Sequence, residues 1–348
     1  MERTYFVGID LHRSVIQACV RDERGEIVAE QRLRYAEAIE REAVLTWLAP
    51  YQPGRLVVEA LGLNRWFVNG CQARGWDVLV CDPRKLGLKK LGTKTDRRDA
   101  RELSRRLWLG DLDASARTHY SSDAEYGHKK QLRVRHDLVS LRQQVVNGMR
   151  AMLNAYAIDS APSGVLHTRK GRAQLAACRL PTPELQAAFD ALRAVFESVQ
   201  EQIAGLSRRI AEIPAREPDV GALAELPEIG AQSAATLHFE LGDVRRFPTP
   251  RAVAAYVGLV PRVFQSADKA HHGALTRQGN RQLRWIVSQW AVRLLARNGE
   301  VKAWAARLLR RMHKNKVRMA LARRLLVGVW VMRTRGEAFD LRRCLGLA

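Results

Sequence analysis

YFVGID (5–10), RLVVEAL (55–61) and KTDRRDA (94–100) decide how the first third of this chain is read. The first two are short, apolar, β-branched runs, each ending at or near an acid: Asp10 in one, Glu59 in the other. SVIQACV (14–20) and EIVAEQRL (26–33) supply two more strands, separated by the Arg24-Gly25 turn. Residues 36–49 carry helical spacing, with Ile39, Ala43 and Leu48 on one side. A second helix runs to about Arg74, and WDVLVCD (76–82) is a last strand, stopped by Pro83. Three successive strands, then helix, strand, helix, strand, predict a mixed α/β sheet covered by helices.

The third stretch opens a helix. Asp96 and Asp99 are three places apart in it, so they share one helix face. Carboxylates at strand ends beside a helix start can converge on one point above a sheet. Hard divalent cations prefer oxygen ligands, and two ions roughly 3.5–4 Å apart activate both oxygens of a phosphoryl transfer. Each acid also has an ordinary role. Asp96 is a good N-cap, Asp99 favours a first helical turn, and Asp10 can start a turn. Glu59 is harder to explain that way, because it interrupts an apolar strand, where an unpaired acid is costly.

The 348 residues suffice for two or three domains, and an apolar share of 47% excludes a disordered chain. Lys and Arg number 58 against 36 acids, a formal net charge of +22. That balance favours a polyanion, since neutralised phosphates release counterions, but it does not separate DNA from RNA. Cys19, Cys71, Cys81, Cys178 and Cys344 are scattered, with no CxxC pair, so core thiols are expected rather than disulfides or a zinc knuckle. No apolar run reaches 18 residues, and the N-terminus lacks signal-peptide order. A cytoplasmic protein without membrane contact is the expectation.

The middle third changes period. Val134, Leu138, Leu141, Val145, Gly148, Met152 and Ala155 form one seam. Leu185, Phe189, Leu192, Phe196, Val199, Ile203, Leu206, Ile210 and Ile213 form a cleaner one, with steps alternating four and three. The pattern is that of a coiled coil, either an antiparallel hairpin within the chain or a contact between chains, with dimerisation slightly favoured. An ordinary helical bundle also fits. The reading divides the chain at 1–112, 113–215 and 216–348.

In the last third, LAELPEIGAQSAATLHFELGD (223–243) reads as helix, tight turn, helix, similar to a helix-hairpin-helix. Gly230 is expected to supply the turn's unusual backbone, and the following helix N-terminus suits a phosphate. A plain structural turn is the alternative. A long Arg-rich helical region from 281 to 343 follows, with basic faces suited to a phosphate backbone.

VGID, VVEALG and KTDRRDA at these spacings resemble the DEDD-type insertion-sequence transposases. AAYVGLVPR (254–262), QS (265–266) and TRQGNRQLR (276–284) resemble the C-terminal domain of the same family. The resemblance spans nearly the whole chain and is weakest in the helical middle. It implies an RNase H-like (RuvC-like) N-terminal domain whose acids, here Asp10, Glu59, Asp96 and Asp99, bind Mg2+. It also implies a nucleophilic serine, here Ser266, followed by Ala267 where the family commonly has glycine. A serine hydroxyl can form a covalent phosphoserine link that conserves bond energy for rejoining. Arg262, Lys269, Arg277 and Arg281 surround Ser266 in sequence and are candidate contacts to phosphate. The family further implies donor and target DNA, a noncoding bridge RNA as guide, and a homo-oligomer whose subunits share active sites. A metal-dependent junction resolvase would need the acids but not Ser266, and a non-catalytic DNA-binding protein would need neither.

Overall fold

The computed structural model describes residues 4–52, 55–60, 62, 64–82, 86, 95–112, 116–158, 166, 168–266, 269–276 and 278–347, without the side chains of 263–266, 269–272 and 274. The chain forms two compact units, Met1–Tyr120 and Ser121–Ala348.

In the first unit, β1 (Phe6–Leu11), β2 (Val15–Arg21) and β3 (Ile27–Arg34) form an antiparallel meander. Helix α1 (Ala38–Leu48) leads to β4 (Arg55–Glu59), and α2 (Arg65–Ala73) leads to β5 (Asp77–Cys81). These last strands pair in parallel, giving the order β3-β2-β1-β4-β5. Helix α3 (Asp96–Leu109) completes the unit. The mixed sheet expected from the strand pattern is present. In α1, however, Val44, Leu45 and Leu48 are buried while Ile39 is 76% exposed. Leu48 is buried as expected, but Ile39 and Ala43 of the expected stripe face out, and Val44 and Leu45 pack one face of the sheet instead.

The sheet is covered on both faces. Val7, Ile9, Leu11, Leu56 and Val58 pack with α1 and α2. Val57 and Cys81 pack instead with Leu103 and Leu107 of α3. Strand alternation therefore assigns Gly8, Asp10, Val57 and Glu59 to the α3 face. An ideal Cβ at Gly8 would lie 2.3 Å from Ala100 O and 2.3 Å from Ser104 N. Glycine is what lets α3 lie so close to the central strand.

Glu30 on the edge strand β3 ties α3 to the sheet. Arg97 Nε and Nη2 donate to its carboxylate at 3.0 and 2.7 Å, and Arg101 Nη2 donates at 2.7 Å with a further Arg101 Nε contact. The Arg101 bond, followed by those from Arg97, lowers the Glu30 carboxyl to about 2 from its usual 4.5. A depressed acid stabilises the fold fully above the unfolded value of 4.5, and that contribution fades as pH falls through about 2. Glu30→Gln should therefore cost about 1–2 kcal/mol at neutral pH, with both arginines partly in solvent. The difference from the parent should vanish near pH 2. Denaturant melts across pH check it: a deficit that persists undiminished in acid would rule out the ion pair as its origin.

The second unit is mainly helical. Long helices α4 (Asp123–Ala155) and α6 (Pro183–Ala211) flank the shorter α5 (Arg169–Ala177). Arg135 Nε donates to Ser207 Oγ at 2.8 Å, and Arg142 Nη1 to Gln200 Oε1 at 3.0 Å, so α4 and α6 run antiparallel within one chain. The second predicted seam buries Phe189, Phe196, Val199, Ile203 and Ile210. The first is only partly in phase: Val145 is buried as expected, but α4 otherwise buries Leu132, Val146, Met149 and Leu153, leaving Val134 48% and Leu141 40% exposed. Val145, Val146, Met149 and Leu153 cluster with Phe189 and Phe196, whereas Leu132 joins the core of the C-terminal helices.

Helices α7 (Ile213–Arg216), α8 (Pro218–Ala224), α9 (Ala231–Leu241) and α10 (Pro250–Val257) follow. A hairpin of β6 (Pro261–Ser266) and β7 (Lys269–Leu275) comes next, then α11 (Arg281–Arg297), α12 (Gly299–Leu309), α13 (Lys314–Arg335) and α14 (Leu341–Leu345). The hairpin was not anticipated in a region read as helical. The turn between α8 and α9 also differs in detail. Gly230 has φ −106°, an ordinary extended value, while Glu228 carries the left-handed φ of 63°. The turn is held inward, since Trp290 Nε1 donates to Pro227 O at 2.7 Å and Arg293 Nε to Glu228 O at 2.9 Å. Cys19, Cys71 and Cys81 are buried thiols, and all five cysteines are free. Among the described residues no helix is long and apolar enough to cross a membrane.

Candidate metal centre and serine hairpin

Asp10 sits near the end of β1, and Glu59 is the last residue of the neighbouring parallel strand β4. Ile9 pairs with Val58, so Asp10 and Glu59 occupy the next rung, on strands about 4.8 Å apart. Both belong to the α3 face. Moving from Gly8 to Asp10 along β1 moves back along α3 from Ala100 toward its first turn, where Asp96 and Asp99 stand. The cap of that helix is Thr95, whose Oγ1 accepts from Arg98 N at 3.3 Å. Asp96 is thus not spent on capping, contrary to its ordinary role. Asp99 begins the buried stripe Asp99, Ala100, Leu103, Ser104 and Leu107.

Asp10 is 5% exposed and Asp99 7%, whereas Glu59 is half-buried. Burial pushes the Asp10 carboxyl above its usual range, His12 opposes this, and Asp96 and Asp99 push it further up. Asp10 thus feels the charge of both other aspartates.

His12 is the residue that the sequence reading missed. Its Nε2 lies 3.2 Å from Asp10 Oδ2 and 3.1 Å from Asp96 Oδ1. One ligand atom from each of Asp10, His12 and Asp96 falls within 4.8 Å of the others. The available signal was position: two residues past Asp10, just beyond the strand, His12 is carried over the same site by the turn that its N–H closes on Val15 O at 2.8 Å. Oxygen donors dominate the set, which fits a hard cation such as Mg2+. The single imidazole is compatible with that reading.

In the second unit, Ser266 is the last residue of β6 and pairs with Lys269 at the start of β7. The side chains of Ser266, Lys269, His271 and His272 and all of Ala267 and Arg277 lie outside the described residues. Arg262 is exposed on β6, and Arg281 is exposed in the first turn of α11. Ser233 and Ser288 lie in helices, and Ser288 Oγ donates to its own helix at Arg284 O.

A carboxylate cluster at the C-terminal ends of parallel strands, within a strongly basic chain, is an arrangement suited to an enzyme acting on nucleic-acid phosphates. Residues 7–158 match a family of DEDD transposases of the IS110 type. Residues 220–306 match the "Transposase IS116/IS110/IS902 family". Full-length similarity extends to named relatives. The transposase for insertion sequence element IS1111A of Coxiella burnetii is 23% identical over 97% of this chain and 92% of its own. A probable family 20 transposase of Pseudomonas aeruginosa is 25% identical over 96% and 98%. The transposase for IS1328 of Yersinia enterocolitica is 25% identical over 98% and 100%. The two family matches together take in more than half of the chain, and the chain belongs to the IS110/IS116 family of insertion-sequence transposases.

Proposed function

We propose that this transposase cuts and rejoins DNA at the ends of its insertion sequence by serine attack on phosphodiesters, assisted by Mg2+. In this reading residues 1–112 form an RNase H-like domain that holds the metal through Asp10, Glu59, Asp96 and Asp99. Residues 113–215 link and pair subunits, and residues 216–348 carry Ser266. The observation that carries the metal assignment is the meeting of Asp10, His12 and Asp96 within 4.8 Å beside a buried Asp99. The bound ion would supply charge stabilisation to the phosphate oxygens as the bond changes.

The serine step balances without an external energy source. The Ser266 Oγ–P bond forms as one backbone P–O bond breaks, and the serine proton ends on the leaving DNA hydroxyl. Attack by a second strand's hydroxyl then reverses the exchange and restores the serine. Arg262, Lys269, Arg277 and Arg281 stand close in sequence to Ser266 and serve as phosphate contacts. A noncoding bridge RNA guides pairing with donor and target, and a homo-oligomer holds the duplexes. If protein without RNA recombined its cognate DNA at full rate, the guide would be dispensable.

The decisive experiment is adduct trapping. Wild-type protein with Mg2+ and end-bearing DNA should give a denaturation-resistant protein–DNA link. Ser266→Ala should lose it entirely while keeping DNA affinity within about two-fold, since one neutral hydroxyl contributes little beside the phosphate contacts. Full strand transfer by Ser266→Ala would leave a metal-only, resolvase-like cleavage as the activity.

A further inference from the structure

Glu240 stands in an unexpected place. It lies on α9 among the buried Leu237, Phe239 and Leu241, and is itself only 5% exposed. A buried carboxylate costs free energy unless its oxygens are matched. Here both are. Arg133 Nη2 of α4 donates to Oε1 at 3.1 Å, and Asn280 Nδ2 donates to Oε2 at 2.6 Å.

Asn280 closes the returning root of the β6–β7 hairpin. Its Oδ1 caps α11 by accepting from Leu283 N at 3.0 Å, and its backbone N–H donates to Tyr256 O at 2.9 Å. Tyr256 belongs to α10 and marks the outgoing root. Its hydroxyl donates to Glu240 O at 3.2 Å, and Arg246 stacks on its ring at 4.5 Å. Gly279, beside Asn280, has φ 122°, and an ideal Cβ there would lie 2.3 Å from Tyr256 O. Both ends of the strand pair that carries Ser266 therefore close on Glu240, the outgoing end on its main-chain carbonyl and the returning end on its carboxylate.

We propose that the Glu240 carboxylate is the positioning group for the serine hairpin, fixing its returning root against α4 and α9 through Asn280, beside the outgoing root that Tyr256 ties to the main chain of the same residue. The catalytic consequence rests on Ser266 being the nucleophile; the anchoring does not. In Asn280→Asp the carboxylate introduced at the cap still accepts from Leu283 with one oxygen, and its other oxygen faces Glu240 Oε2, acceptor against acceptor, a clash that no side-chain flip relieves. Glu240→Gln alone is mild, because its amide can turn its oxygen to Asn280 and leave Arg133, 55% exposed, to solvent. Combining the two substitutions repairs the polarity. The amide introduced on α9 then donates to one oxygen of the carboxylate introduced at the cap, while the other oxygen still caps α11, a role that Asp fills as well as Asn.

The test compares wild type, Asn280→Asp and Glu240→Gln/Asn280→Asp in the full chain by two readouts. Hydrogen exchange of the amides of 261–275 should accelerate about ten-fold or more in Asn280→Asp, while α4 and α6 stay protected. Formation of the covalent DNA adduct should slow about 100-fold, the usual cost of displacing a reacting group by about 1 Å. The double variant should bring both readouts back to within about three-fold of wild type. Unchanged hairpin exchange in Asn280→Asp overturns the proposal, as does a double variant as slow as the single. Should the single variant fail to fold, the double decides alone: folded and fast supports the assignment, folded and slow sinks it. Ser266→Ala with wild-type strand transfer would remove the nucleophile instead, and hairpin exchange is indifferent to that result.

Discussion

Asp10→Asn should lower strand transfer by at least about 1,000-fold, because a ligand that helps offset several kcal/mol of transition-state charge is removed. The same substitution should raise the melting temperature of the protein in Mg2+-free buffer. The two effects have one origin. The Asp10 carboxyl is raised above 3.8, chiefly by burial and further by Asp96 and Asp99. A raised acid destabilises the fold above its folded pKa, and the penalty is relieved as pH falls through that value toward and below 3.8. Asparagine has the same shape and no charge, and its Oδ1 still accepts from His12 Nε2. At neutral pH the metal-free variant is therefore relieved of a cost that wild type carries. Adding Mg2+ should reverse the order. Wild type gains about 2.7 kcal/mol at 100 times the dissociation constant, whereas the variant gains little. Paired melts with and without Mg2+, beside a strand-transfer assay, read both effects. A variant that keeps its Mg2+-dependent melting shift would remove Asp10 from the metal centre.

The sheet was legible because its strands are separated by clear turns and carry β-branched runs. Asp10 and Glu59 at the strand ends, and Asp96 and Asp99 on one helix face, followed from the same reading. What the strand pattern did not contain was the face. That came from Gly8, whose missing side chain shows where α3 lies. His12 was illegible for a related reason. The strand pattern implies a turn after Asp10, but not that it places the His12 ring between Asp10 and Asp96. The α4 seam holds at Val145 and fails at Val134 and Leu141, because from Val145 the pattern can be continued through Met149 and Leu153 as easily as through Val134 and Leu141. Only the partner Phe189 and Phe196 decides between them. The β6–β7 hairpin was hidden in a basic stretch with little alternation, between two strongly helical segments. Gly230 was chosen for its residue type, yet Glu228 takes the left-handed backbone because Arg293 and Arg297 hold its carbonyl and carboxylate on α11.

The closeness of α3 to β1 has a consequence for the metal centre, and Gly8→Ala exposes it. The added methyl carbon would lie 2.3 Å from two backbone atoms of α3, Ala100 O and Ser104 N, and 3.0 Å from Leu103 C. Flexible side chains can step aside from such a contact, but helix backbone cannot. Nor can β1 retreat, because β2 and β4 hold it on both sides. The helix must lift, against Leu103 and Leu107 packed on Val57 and Cys81 and against the Glu30 ion pairs. The expected cost is about 3 kcal/mol or more, the upper end for overpacking. Because Asp96 and Asp99 ride on the first turn of the same helix, lifting it also draws two carboxylates away from Asp10. Mn2+ affinity should then fall at least about ten-fold, since losing a ligand's geometry costs more than about 1.4 kcal/mol. Gly75→Ala is the control. Its φ of 75° makes alanine strained, yet its Cβ meets nothing within 4 Å. That variant should lose about 1–2 kcal/mol from backbone strain alone and bind Mn2+ as wild type does. Thermal melts with Mn2+ titrations separate the two. If Gly8→Ala were no less stable than Gly75→Ala, or kept full Mn2+ affinity, the close approach of α3 would not be what sets the distance between its acids and Asp10.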